Sequence, residues 1–106
     1  MLSKKNRLTY LQFQRNPHDA HNHFTSALTI AVKTAITNQP RFVVVVPKKL
    51  EKRSTLRHKT KRIIVESIRK QIPKMRENLD VLVKPKKILT SKTLHNVSNE
   101  LKKILT

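Results

Sequence analysis

The sequence contains no glycine, no cysteine and no tryptophan. Without glycine, neither type of Gly-rich phosphate-binding loop can form. Any turn that needs positive φ falls to Asn16, Asn22, Asn38, Asn78 or an aspartate, the next most tolerant residues. Without cysteine there is no disulfide and no thiolate metal site. The aromatic residues are Tyr10, Phe13, Phe24 and Phe42, too few for a sheet that stacks several bases on rings in the RRM manner. Acid is scarce as well, with 6 Asp and Glu against 24 Lys and Arg. That leaves little from which to build a metal or general-base site. No stretch approaches the ~20 apolar residues that span a bilayer, so no membrane partner is expected. The opening Met1-Leu2-Ser3-Lys4-Lys5-Asn6-Arg7 has charge but no apolar signal core behind it. The expectation is a cytoplasmic protein.

What the chain has instead is positive charge, +18 with histidine neutral. Its 106 residues suffice for one domain, residues 1–106, with one modest core. Self-repulsion of that size opposes compaction, so a polyanionic partner is expected to neutralise it, and nucleic acid is the default. The cations are not in a tail. Eight of the fifteen residues from Lys48 to Arg62 are Lys or Arg: Lys48, Lys49, Lys52, Arg53, Arg57, Lys59, Lys61 and Arg62. This run lies between the apolar Phe42-Val43-Val44-Val45-Val46 and a helix with apolar periodicity, so the charge is carried on the folded body.

The pattern predicts a basic, loosely ordered residues 1–9, then a short helix around Leu8, Leu11 and Phe13 that Pro17 ends. Asn16 to His23 reads as a polar turn region, and Phe24 to Val32 as a strand. Residues 34–40 read as a turn or a frayed strand end, and Phe42 to Val46 as a strand buried on both faces. Ser54 or Thr55 caps a helix reaching about Ile72, with Leu56, Ile63, Ile64, Ile68 and Ile72 as its buried stripe. Asp80-Val81-Leu82-Val83-Lys84 is a further strand, and Ser91 caps a last helix with the stripe Leu94, Val97, Leu101 and Leu105. The order strand–helix–strand implies a parallel pair. The predicted class is α+β, a small mixed sheet with helices on one face.

The long helix places Arg57, His58, Lys59, Lys61 and Arg62 at its start. Cations there oppose the macrodipole by roughly 0.3–1 kcal/mol each. A bound phosphate reverses the sign, because it pairs with the side chains and with the free N–H groups of the first turn. A merely solvated charged face does not account for such density at the wrong end of a helix. Glu66, four residues after Arg62 and three before Arg69, reads as an intrahelical ion-pair partner. His18, His21 and His23 cluster around Asp19, but the spacing matches no zinc pattern. No metal bound by the protein alone is expected.

With these segments placed, the chain resembles the protein subunit of bacterial ribonuclease P. Lys4-Lys5-Asn6-Arg7-Leu8 is similar to the family's opening. Val45-Val46-Pro47-Lys48-Lys49 matches its strand ending in a basic turn. Arg57-His58-Lys59-Thr60-Lys61-Arg62 stands where the family has Arg-Asn-Arg-x-Lys-Arg, and Glu66 and Arg69 complete that signature. Asp80 to Lys84 and the helix Leu94 to Leu105 match its later strand and closing helix. His58 and Lys59 depart from the family's Asn and Arg, and Val44 from its strand glycine.

The resemblance implies a four-stranded sheet like the second domain of ribosomal protein S5. It implies a left-handed strand–helix–strand crossover, where topology alone predicts right-handed. It implies a noncatalytic subunit of an RNA-based endonuclease that removes the 5′ leader of precursor tRNAs, with Mg²⁺ associated with the RNA component. The implied partners are ribonuclease P RNA and the precursor tRNA 5′ leader, with no small-molecule substrate. RNA would be held by Lys48, Lys49, Lys52, Arg53, Arg57, His58, Lys59, Lys61, Arg62 and Arg69. Tyr10, Phe13 and Phe24 are the candidates for stacking on the leader. The alternative is a ribosomal or ribosome-associated structural protein that binds RNA with the same fold and charge.

Overall fold

The computed structural model describes residues 2–75 and 78–105. A short helix α1 (Tyr10–Arg15) precedes strands β1 (His21–Phe24), β2 (Leu28–Thr34) and β3 (Arg41–Val44). Helix α2 (Ser54–Gln71), strand β4 (Leu79–Pro85) and helix α3 (Leu94–Leu105) follow. The sheet order is β1-β2-β4-β3. β1 pairs antiparallel with β2, β2 antiparallel with β4, and β3 parallel with β4. The expected parallel pair is therefore β3 and β4, with α2 as the connection between them.

Strand alternation divides the apolar residues between two faces. Leu28, Ile30, Val32, Phe42, Val44, Val81 and Val83 meet Ile64 and Ile68 of α2 and Val97, Leu101 and Leu105 of α3. The intervening residues Ala31, Val43, Val45 and Leu82 join Leu8 and Phe13 on the opposite face. The helices are therefore not confined to one face: α1 covers the second. Ile68 is fully buried in the larger cluster. Ile68→Ala is expected to cost about 2–5 kcal/mol, measurable as a lowered urea midpoint with an unchanged m-value.

Several local expectations change. Residues 2–9 are not loose: Leu2, Asn6 and Leu8 are buried, and Lys4–Asn6 forms a 3₁₀ turn (Met1 lies outside the described residues). The Asn6 side-chain amide donates to the Pro40 carbonyl at 2.7 Å, Leu8 N–H donates to the Phe42 carbonyl, and Arg7 bridges in parallel to Phe42. The N-terminal segment thus covers the outer edge of β3, leaving fewer unpaired backbone groups there. Part of the polar region 16–23 forms the edge strand β1, whose residues are all exposed. Strand β1 went unread because nothing apolar alternates in it.

The α2 stripe is also rotated from the expected one. Thr60, Ile64, Ser67, Ile68 and Gln71 are the buried positions. The Thr60 hydroxyl accepts from Leu89 N–H, and the Ser67 hydroxyl donates to the Ile63 carbonyl and accepts from Ser98. Hydrogen-bonded small hydroxyls are thereby buried against α3 and the segment before it, where a purely apolar stripe was expected. Neither Ser54 nor Thr55 caps α2: the N-cap is Arg53, with no side-chain cap. Thr90, not Ser91, provides the capping box that starts the turn leading into α3. No described residue has positive φ, so the turns among them need neither glycine nor an asparagine in its place.

Candidate nucleic-acid interface

Helix α2 buries one side against the sheet and α3, which leaves the other to solvent. His58, Lys59, Lys61, Arg62 and Arg69 are exposed on it, and Lys48, Lys49, Lys52 and Arg53 are exposed in the segment leading to it. Arg57 is half-buried. The structure thus brings all ten residues expected to hold RNA onto α2 and the approach to its N-terminus. No acid occupies the first turn of α2. Among the described residues, none of Lys48, Lys49, Lys52, Lys59, Lys61 and Arg62 is paired with a carboxylate. Unneutralised cations at a helix start repel one another and the helix dipole. The surface is therefore complementary to an anion.

Three of the ten have structural duties. The Arg57 guanidinium donates to the Glu51 and Lys52 carbonyls at 3.0 and 2.9 Å, which ties the approach segment onto the helix. Arg69 pairs with Glu66 at 2.9 Å, three residues back, as its spacing predicts. Arg53 holds Glu51 with its guanidinium and its backbone N–H. Those two hydrogen bonds, the guanidinium's the larger effect, lower the Glu51 carboxyl from 4.5 to about 2. A lowered acid stabilises the fold fully above its ordinary pKa, and that contribution is lost as pH falls through the folded value. The Glu51 anchor should then be complete above about 4.5 and lost only toward about 2. A side-chain NMR titration of Glu51 should give a midpoint near 2, returning toward 4.5 in Arg53→Ala; a wild-type midpoint already near 4.5 contradicts the pairing.

The aromatic candidates separate. Tyr10 and Phe24 are 45% and 69% exposed. Phe13 is only 6% exposed, packed in the smaller cluster with Leu8 and Leu82. Its expected role as a stacking platform is corrected to a core role, because α1 turns that ring onto the sheet. Sequence reasoning missed the lysines that accompany the rings. Lys33 Nζ lies 4.6 Å from the Phe13 centroid, Lys84 Nζ 5.8 Å from that of Tyr10, and Lys86 Nζ 5.7 Å from that of Phe24. These approaches lie within cation–π range. The lysines come from β2, β4 and the residue after β4, so only the sheet register shows that they gather. The face opposite α2 and α3 thus carries its own cations beside two open rings.

Asp80, expected only as a strand residue, anchors this face. It is fully buried, accepts two hydrogen bonds from the Arg41 guanidinium at 3.1 and 2.9 Å, and accepts one from the Asn16 amide at 2.8 Å. Asn16 is the C-cap of α1, so the carboxylate locks that helix to β3 and β4. His21 and His23 point to one face of β1 and Asn22 to the other.

Fold and surface together define a small α+β protein with one strongly cationic helix and a separate lysine–aromatic face, the construction of an RNA-binding module. Residues 2–106 match the ribonuclease P family model. The chain belongs to the ribonuclease P protein family, as the RNA-binding protein subunit of that tRNA-processing ribonucleoprotein. Its fold is similar to that of a Staphylococcus aureus RNase P protein mutant with defective mRNA degradation activity. There the TM-score is 0.80 at 23% identity, over 95% of this chain and 88% of that one. A second structure of the Staphylococcus aureus RNase P protein gives 0.77 at 22% identity, over 93% and 94%. The RNase P protein from Thermotoga maritima gives 0.68 at 19%, over 90% and 86%. No curated protein matches the chain.

Proposed function

We propose that the chain assists a catalytic RNA in removing the 5′ leader of precursor tRNAs, binding ribonuclease P RNA through α2 and its approach segment. The observation that carries this is the row of exposed, acid-free cations at the start of α2. A cationic scaffold between two RNAs lowers their mutual repulsion, and so lowers the Mg²⁺ needed to bring them together. The leader would cross the other face, where Tyr10 and Phe24 offer open rings and Lys84 and Lys86 stand beside them.

Hydrolysis belongs to the RNA with its Mg²⁺ in this reading, and the protein side chains take no chemical step. Among the described residues, no three His, Cys, Asp or Glu side chains gather where a metal ion could be held. Asp80 is committed to Arg41 and Asn16, and Glu51 and Glu66 to arginines. In this reading the protein works in the cytoplasm. No described helix is long and apolar enough to cross a membrane.

The test is precursor-tRNA cleavage by a bacterial ribonuclease P RNA at low Mg²⁺, with and without the protein. Cleavage that appears only with the protein supports the assignment. Salt-dependent RNA binding without rescue, once the cognate RNA has also been tried, favours a ribosomal structural role instead.

A further inference from the structure

His58, Lys61 and Arg62 do more than face outward. They form one wall of a groove of about 630 Å³. The N-terminal segment around Arg7 and the edge strand β3 form the others. The volume lies within the ~300–1,000 Å³ typical of small-ligand sites. A surface that contacted only phosphates would have no use for an apolar concavity, yet Leu2, Leu8, Val44 and Val65 line this one. Apolar lining with cations at the rim is the complement of a nucleotide, whose base is flat and apolar and whose phosphate is anionic.

We infer that this groove takes one unstacked nucleobase of the bound RNA. The inference rests on the RNA-binding reading above and names a subsite within it. Positions along α2 orient the nucleotide. His58, Lys61 and Arg62 precede Val65 and Glu66, and at ~1.5 Å rise per residue the wall runs about 12 Å from His58 to Glu66. An ionised carboxylate only accepts hydrogen bonds and repels phosphate. Glu66, held by Arg69 at 2.9 Å, therefore favours the N–H donors of a base edge, while the phosphates face Lys61 and Arg62. Arg7 frames the opposite side, its Nε donating to the Leu2 carbonyl at 3.0 Å. His58 adds an exposed flat ring on which a base can stack.

The test measures affinity for a short RNA duplex with a single-nucleotide bulge, against the same duplex without it, at fixed salt. The bulged RNA is expected to bind about tenfold more tightly, the scale of one stacked base. In His58→Ala, an exposed position, the ratio should fall several-fold. In Val65→Phe, which fills the groove, it should fall toward one. Equal wild-type affinity for the two RNAs overturns the base groove and leaves the RNA-binding reading standing. Failure to bind either RNA overturns both.

Discussion

Replacing Lys61 and Arg62 together with alanine is expected to weaken RNA binding by roughly 100-fold near 0.1 M salt, while the fold is retained. Each cation removed takes with it a charge-assisted contact worth about 1.5 kcal/mol, and two such losses amount to about two decades. Both side chains are exposed on α2 and neither is paired with an acid among the described residues. Their loss leaves no partner stranded and relieves repulsion at the helix start. Salt gives the second readout. If about six phosphates are neutralised, log affinity falls with log salt at a slope near −4 to −5. The double variant should shallow it by about two. An unchanged slope would move the phosphate contacts elsewhere on the chain, and a flat wild-type response would remove the electrostatic basis for binding. Arg57→Ala is a less clean probe, because that guanidinium also holds the Glu51 and Lys52 carbonyls.

Asp80→Ala is expected to have the largest effect on stability. The Asp80 carboxylate is fully buried and its partner Arg41 is 12% exposed. Removing one member of such a pair leaves a charge without its partner and typically costs about 3–5 kcal/mol. Here the Asn16 amide also loses its acceptor, so the C-cap of α1 is released from the sheet. Domains of this size have only about 5–15 kcal/mol in all, and each kcal/mol moves the melting temperature by roughly 4–8 °C. A fall in Tm of more than about 12 °C is the expected result. A shift of only a degree or two would show that the pair contributes little beyond its desolvation cost. The lysine–aromatic face should weaken in parallel, since α1 carries Tyr10 and caps one side of it.

Much of this was legible because it depends on local order. The apolar run from Phe42 formed a strand, the isoleucines of α2 fell at helical spacing, and the basic run could be placed at a helix start. Other features were hidden for identifiable reasons. β1 is exposed along its whole length, so no alternation marked it, and it exists because β2 offers a hydrogen-bonding edge. Leu2 was lost in a basic stretch and Leu8 was read into the short helix that begins only at Tyr10, although two apolar residues among so many cations were the available signal for a segment pinned to β3. Phe13 and Tyr10, three residues apart in one short helix, have opposite fates. One packs into the sheet and the other faces solvent, and no periodicity can be read from six residues.

The sequence by itself determined the charge, the absence of the residues that phosphate loops and thiolate sites require, and the order of the main elements. Composition and near-neighbour spacing suffice for those. Tertiary structure alone decided the buried Arg41–Asp80–Asn16 lock, the gathering of Lys33, Lys84 and Lys86 beside three rings, and the groove between α2 and the N-terminal segment. Each joins residues from separate elements. Their approach is set by strand register and by which face of the sheet each helix covers, both of which depend on the whole core packing at once.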